Sequence, residues 1–128
     1  MADKLERYRK KRDFGTTREP AGRKKAASKR RRFVIQEHHA RRLHWDLRLE
    51  HDGVLASWAL PKGVPMDPKR NNLAVHTEDH PLEYLEFHGE IPAGEYGAGT
   101  MTIWDHGTYE EHKFRDDEVM ITLSLIHI

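Results

Sequence analysis

"LHWDLRLEHDGVLASWAL", Leu43 to Leu60, alternates apolar and polar residues for eight positions, breaks at His51-Asp52-Gly53 and resumes as an apolar run. Alternation with a period of two is the pattern of a strand packed on one face, and an Asp-Gly pair between two such segments marks a hairpin turn. Leu43, Trp45, Leu47 and Leu49 therefore share one face, while His44, Asp46, Arg48 and Glu50 share the other.

The punctuation on either side is also that of β structure. "FVIQEH" (33–38) precedes the hairpin, "PKG" (61–63) stops it, and "NLAVHT" (72–77), "YLEFHGE" (84–90), "TMTIWD" (100–105) and "EVMITLSL" (118–125) read as four further strands. Pro81, Pro92 and the Gly-rich "PAGEYGAG" (92–99) fall in connections. The Gly-rich stretch lacks the strand-to-helix context of a phosphate cradle and reads as a tight β connection. The only helix signal is "DKLERYRKKRDF" (3–14), and there is no internal repeat. Short strands at turn-bounded intervals point to one all-β domain, a barrel or a sandwich.

With 128 residues, of which 37% are apolar, the chain has room for one modest core. Cysteine is absent, which excludes disulfides and thiolate ligands, so any metal must be held by histidine, carboxylate, water or substrate oxygen. No apolar run approaches the length of a membrane span and no signal peptide is evident, so a soluble protein without a membrane partner is expected. The formal charge of +1 conceals an uneven distribution. Residues 1–32 hold 14 Lys/Arg against 4 Asp/Glu, whereas residues 33–128 hold 8 against 17. Basic clusters at Arg7–Arg12 and Arg23–Arg32 make this a basic arm on an acidic body, suited to polyanion binding or simply solvated.

The polar face of the hairpin carries the chemistry. Neighbours on one face of a strand lie about 7 Å apart along the backbone, so His44 and Asp46 can aim at one ion, with Arg48 placed for an anion bound to it. His38, at the end of the preceding strand, is available as a third ligand. Two histidines and a carboxylate suit Mn²⁺, Fe²⁺ or Zn²⁺ with positions left open for water and substrate. The same pattern also fits an exposed polar strand face. His39, His51, His88, His106 and His112 lack comparable company and read as surface or turn residues.

Three blocks extend this reading: "KRDFGTTREPAG" (11–22), "FVIQEHHARRLHWDLRLEHDGVLASWALPKG" (33–63) and "LAVHTEDHPLEYLEFHGEIPAGEYGAGTMTIWDHGTYE" (73–110). In order and spacing they resemble the 3′-phosphoesterase domain of bacterial DNA ligase D and its stand-alone relatives. The resemblance implies a small, partly open β-barrel with a basic N-terminal arm or short helix. It also implies a Mn²⁺-dependent site, open to other divalent transition metals, that heals DNA 3′ ends by removing 3′-terminal ribonucleosides and 3′-phosphates to leave a 3′-OH for end joining. On matching positions His38, His44 and Asp46 hold the metal and Arg48, His80 and Tyr84 engage the phosphate, His80 adding positive charge or handling a proton. Gln36, Lys62 and Glu78 support them, with Asp13 and Glu19 assigned through the N-terminal block. Ligase and polymerase domains and the Ku end-binding protein are the implied partners besides DNA ends, in a cytoplasmic, nucleoid-associated prokaryotic setting.

The resulting organisation is a basic arm over 1–32 packing in part on the domain, a phosphoesterase barrel over 33–122, and a tail over 123–128. "LSLIHI" (123–128) matches what a common sequencing adapter encodes, and the family usually continues into a further hairpin. The expectation is a non-native tail and a truncated C-terminal strand, which would leave a sheet edge unpaired. Asn71 and Asn72 stand where the family often has a basic residue, with Arg70 as the substitute. Two other functions fit parts of the pattern: a non-catalytic DNA-end-binding module using the arm, and a non-haem iron oxygenase built on His44, Asp46 and His80.

Overall fold

A computed structural model describes residues 4–12 and 31–125 of the chain. It contains helix α1 (Glu6–Lys10), strands β1 (Arg32–His39), β2 (Leu43–His51), β3 (Val54–Leu60) and β4 (Val75–His80), a 3₁₀ turn (Leu82–Glu86), and strands β5 (Gly89–Ile91), β6 (Gly99–Phe114) and β7 (Val119–Leu125). All pairings are antiparallel in the order β4-β3-β2-β1-β6-β5, and β7 also pairs with β6. The sheet rolls without closing, which makes the fold an all-β, partly open barrel. Register shifts at Ile35/Gln36, Leu55/Ser57 and Glu111/Lys113 supply the bends.

The β2–β3 turn forms as its residues dictate. Asp52 (φ 51°) and Gly53 (φ 80°) both take the left-handed conformation of a two-residue hairpin turn, which asparagine, aspartate and glycine tolerate best. Strand β3 occupies Val54–Leu60 and sets Leu49 opposite Ala56 and Leu47 opposite Trp58. Phe33, Ile35, Leu49 and Tyr109 form one core cluster on this face, joined by Trp45, Leu47 and Trp58.

The other face of the sheet is covered as well, so Phe33 through Gln36 are buried in succession. Its cluster comprises Tyr8, Leu55, Leu82, Tyr84 and Met101. Helix α1 is only five residues long, too short to persist by itself. It is held down by Tyr8, which is fully buried with its ring centre 4.8 Å from that of His80 in an edge-on contact.

Two expected strands differ. "YLEFHGE" was expected to be extended, but Leu82–Glu86 coils into a 3₁₀ turn after Pro81 and only Gly89–Ile91 pairs with β6. Leu82 and Leu85, three apart, both reach the core, so the period was that of a helix and not of a strand. "NLAVHT" pairs only from Val75, because Asn72 Nδ2 donates to the Gly63 carbonyl at 3.0 Å and leaves Leu73 exposed in a loop. At the C-terminal end β7 continues to Leu125, past the expected boundary at Thr122, with Leu123 and Leu125 packed inward. The Arg23–Arg32 cluster lies outside the described residues up to Arg30.

Candidate metal centre and phosphate pocket

The β1–β2 register sets His38 opposite His44 and Gln36 opposite Asp46, on the face away from Leu47 and Leu49. His38 Nδ1 lies 3.4 Å from Asp46 Oδ2 and His44 Nε2 lies 3.4 Å from Asp46 Oδ1. One ligand atom from each of the three falls within 4.8 Å of the others, the geometry of a metal-binding group.

The far side of each imidazole decides what it offers. His38 Nε2 sits 2.7 Å from the Gly97 carbonyl and His44 Nδ1 sits 3.2 Å from the Arg42 carbonyl. A carbonyl only accepts, so each of these nitrogens carries a proton, and in the neutral ring the nitrogen facing Asp46 keeps its lone pair. Two lone pairs and a carboxylate thus converge where only a cation satisfies them all, and backbone carbonyls orient the rings from behind as in known metal sites. Gly97 serves this purpose with a left-handed φ of 77°, a conformation that side-chain-bearing residues resist.

The electrostatics agree. Burial opposes ionisation of Asp46, but the two imidazoles, which donate to it whenever a proton and not a cation occupies their inner nitrogens, and the charge of Arg48 prevail and hold its carboxyl well below the usual carboxylate range. The hydrogen bond to Asp46 outweighs burial at His44 and raises its affinity for a proton. Both shifts show a site that attracts positive charge.

Arg48 lies beside this cluster, its Nη2 3.6 Å from Asp46 Oδ2 and its guanidinium 4.7 Å from the centre of the Tyr84 ring. Its Nε donates to Gln36 Oε1 at 2.8 Å, and Gln36 Nε2 donates to the carbonyls of Tyr84 (2.9 Å) and Phe87 (3.0 Å). The 3₁₀ turn is thereby tied to β1 and β2. His80 Nδ1 donates to the Glu78 carbonyl at 2.9 Å, leaving Nε2 to accept from Arg12 Nη2 at 3.3 Å. Burial, then the charges of Arg48 and Arg12, push the His80 pKa well below its ordinary value, so the ring is neutral near pH 7. Of the two roles expected of His80, adding positive charge or handling a proton, a neutral ring suits the second.

The cation beside it is Arg12, expected to belong to an arm that binds polyanions or is simply solvated. Its side chain is buried over the Tyr8 ring, at 3.9 Å, and its Nη1 lies 3.3 Å from Glu78 Oε1. Lys11 reaches Glu78 Oε2 at 3.1 Å and the Tyr96 hydroxyl at 3.4 Å. Burial raises the Glu78 pKa, but its backbone hydrogen bond and the two cations overcome this and keep it ionised. The position of Arg12 just before Asp13 in the N-terminal block was the available signal; the surrounding charge run obscured it.

A cavity of about 280 Å³ unites His38, His44, Asp46, Arg48, His80, Tyr84 and Arg12 with Glu78 and Tyr96 at its wall. Gln36 backs it. Lys62 is exposed in the turn after β3, away from that lining, and Asp13 and Glu19 lie outside the described residues. His80 does not join His44 and Asp46 as a ligand, as an iron oxygenase triad would require; His38 does. A larger cavity of about 900 Å³ opens on the apolar side of β2, beside Leu47 and Leu49, and includes none of these residues.

Comparison with known proteins bears on the same residues. Residues 36–126 match the family described as the DNA Ligase D 3′-phosphoesterase domain. The chain is 60% identical over 119 residues, 92% of its length, to the Multifunctional non-homologous end joining protein LigD of Mycolicibacterium smegmatis, covering 16% of that protein. It is 56% identical over 128 residues to the Multifunctional non-homologous end joining DNA repair protein LigD of Mycobacterium tuberculosis, covering 96% of this chain and 17% of that one. Identity to the LigD protein of Pseudomonas aeruginosa is 52% over 107 residues, covering 82% of this chain and 13% of the relative. The chain thus spans about a sixth of the length of these relatives.

Proposed function

The chain belongs to the DNA ligase D 3′-phosphoesterase domain family, and on that premise we propose that it is a metal-dependent phosphoesterase acting at DNA 3′ ends. Its substrates are strands ending in a ribonucleoside, cleaved to leave a 3′-phosphate, and strands ending in that phosphate, cleaved to leave a 3′-OH for end joining. The observation that carries this reading is the convergence of His38, His44 and Asp46 beside the buried guanidinium of Arg48.

Mn²⁺ or another divalent transition ion held by these three ligands would polarise a phosphoryl oxygen. Arg48, braced by Gln36 and Tyr84, neutralises a second oxygen through its planar fork of donors. Arg12, which lines the same cavity beside His80, adds a second guanidinium. His80, anchored through Nδ1, aims Nε2 at Arg12 Nη2; once a phosphate oxygen draws that guanidinium away, Nε2 takes a proton from water or from a phosphate hydroxyl. Water attacks phosphorus, the bond to the leaving oxygen breaks, and that oxygen takes a proton from solvent, to which His80 gives up the one it accepted. The relatives' names speak of non-homologous end joining; on our reading the reaction prepares ends for ligase and polymerase domains, with Ku as a further partner in a nucleoid-associated setting.

The test is incubation of the chain with Mn²⁺ and a 5′-labelled primer-template ending in either group. The expected result is loss of the terminal group, abolished by chelation. DNA binding without any metal-dependent product would instead support a non-catalytic end-binding module.

A further inference from the structure

The strand register collects several connections at one end of the barrel. The β1–β2 tip, residues 40–42, follows directly from the His38–His44 pair. The loop after β3 lies at the same end, because Trp45 pairs with Leu60. So does the loop before β6, because His39 pairs with Thr100 and Ile91 with Gly99. Arg41 and Arg42 are exposed at the tip, and the Arg42 carbonyl is the group that orients His44.

Charge is polarised along the barrel axis. Among the described residues neither arginine side chain has an ion-pair partner, whereas Lys11 and Arg12 are engaged by Glu78, and Arg32 by Glu50. At the opposite end the β2–β3 turn carries Asp52 and the β6–β7 turn carries Asp116, Asp117 and Glu118, close together because His51 stacks on Phe114 at 3.7 Å. The tip end also has acids, Glu37 held by His39 at 2.6 Å, Glu90 one strand beyond, and Asp67 and Glu95 in the adjoining loops, but Lys62, Lys69 and Arg70 join the two arginines there, whereas among the described residues the far end has Lys4, Lys113 and Arg115 against its acids.

We propose that the β1–β2 tip is a phosphate-binding site, with Arg41 and Arg42 gripping backbone phosphates of the DNA strand on the 5′ side of the one that reacts. The inference rests on the proposed activity at 3′ ends: a terminal phosphate in the pocket requires the rest of its strand to leave through this mouth. Two unpaired guanidinium forks beside the ligand His44 match phosphate oxygens, while the acidic far end turns an approaching polyanion toward the site. DNA affinity then resides in the barrel as well as in the basic arm.

The test uses the full chain and a fluorescent primer-template in anisotropy titrations over a salt series, alongside single-turnover cleavage. Arg41→Ala/Arg42→Ala is expected to make the log–log salt slope shallower by roughly 0.7 to 0.9 per phosphate lost. It should raise the DNA concentration needed for half-maximal cleavage while sparing the saturated rate. Arg41→Lys/Arg42→Lys should recover most of the slope, and Arg115→Ala at the far end should leave it unchanged. An unaltered slope in the alanine variant overturns the proposal even if cleavage is normal. A shallower slope in a chain that yields no product upholds this site while defeating the proposed activity.

Discussion

Gln36 and Arg48 form the hinge pin of the site: the amide oxygen accepts from Arg48 Nε at 2.8 Å while its nitrogen holds two carbonyls of the 3₁₀ segment. One buried side chain thus fixes both Arg48, the arginine we propose for phosphate, and the segment that carries Tyr84. Gln36→Leu should leave a buried guanidinium donor and two carbonyls unpaired, at a cost of about 1–3 kcal/mol each at most. Turnover should fall while Mn²⁺ affinity is retained. Calorimetric metal titration beside activity checks the split; equal loss of both would mean that Gln36 merely holds the fold.

The ligand set gives a sharper expectation. His44→Ala or Asp46→Ala should abolish turnover and weaken Mn²⁺ binding, since each opens the three-atom group. Leu49→Ala, on the other face of the same strand and 1% exposed, should cost about 2–5 kcal/mol of stability with the ligands intact. Denaturant midpoints separate the two classes; undiminished metal affinity in both site variants would remove His44 and Asp46 as ligands.

Charge should divide the two cleavage steps. A terminal phosphate carries about 1.5 to 2 negative charges near neutral pH, more than a diester. With His80 neutral, the additional positive charge comes from Arg12. Arg12→Gln should therefore slow removal of a 3′-phosphate more than removal of a 3′-ribonucleoside, whereas His80→Ala should slow both alike. Matched single-turnover rates decide this, and equal losses for Arg12→Gln would contradict it.

The neutrality of His80 also has a sign in pH. Its folded-state pKa lies below that of the unfolded chain, near 6.5. Below about pH 6.5 the unfolded chain binds a proton that the folded chain does not, so this group's contribution to stability falls as acid is added. Unfolding midpoints should drop from pH 7 to 5, less steeply in His80→Gln. Ring ¹⁵N shifts showing half-protonated His80 at or above pH 6.5 would refute the assignment.

The hairpin was readable in the residues because its period of two is local. Leu47 and Leu49 against His44, Asp46 and Arg48 sort onto two faces without any tertiary information, and Asp52-Gly53 specifies its own turn. Arg12 was hidden for the converse reason. Its neighbours are cations, its role depends on Glu78 sixty-six residues away, and nothing in "RYRKKR" distinguishes the one basic side chain that is buried. The 3₁₀ turn was misread because Leu82, Tyr84 and Leu85 satisfy either period over so short a run. Neutral His80 follows from burial between two arginines, which no linear pattern displays.

His38, His44 and Asp46 all lie on two adjacent strands joined by three residues, whereas Arg12 comes from the N-terminal segment and His80 and Tyr84 from the junction of β4 with the 3₁₀ turn. Hairpins close in about 1–10 μs, and contacts distant in sequence form later. The ion can accordingly meet its ligands in a chain whose sheet has not yet rolled, so that capture of metal belongs to the beginning of folding and recognition of phosphate to its end. Because ligands that exist only in folded structure couple binding to folding, Mn²⁺ present from the start of refolding should speed the slow step. The same ion added after the chain is native should raise only its resistance to unfolding.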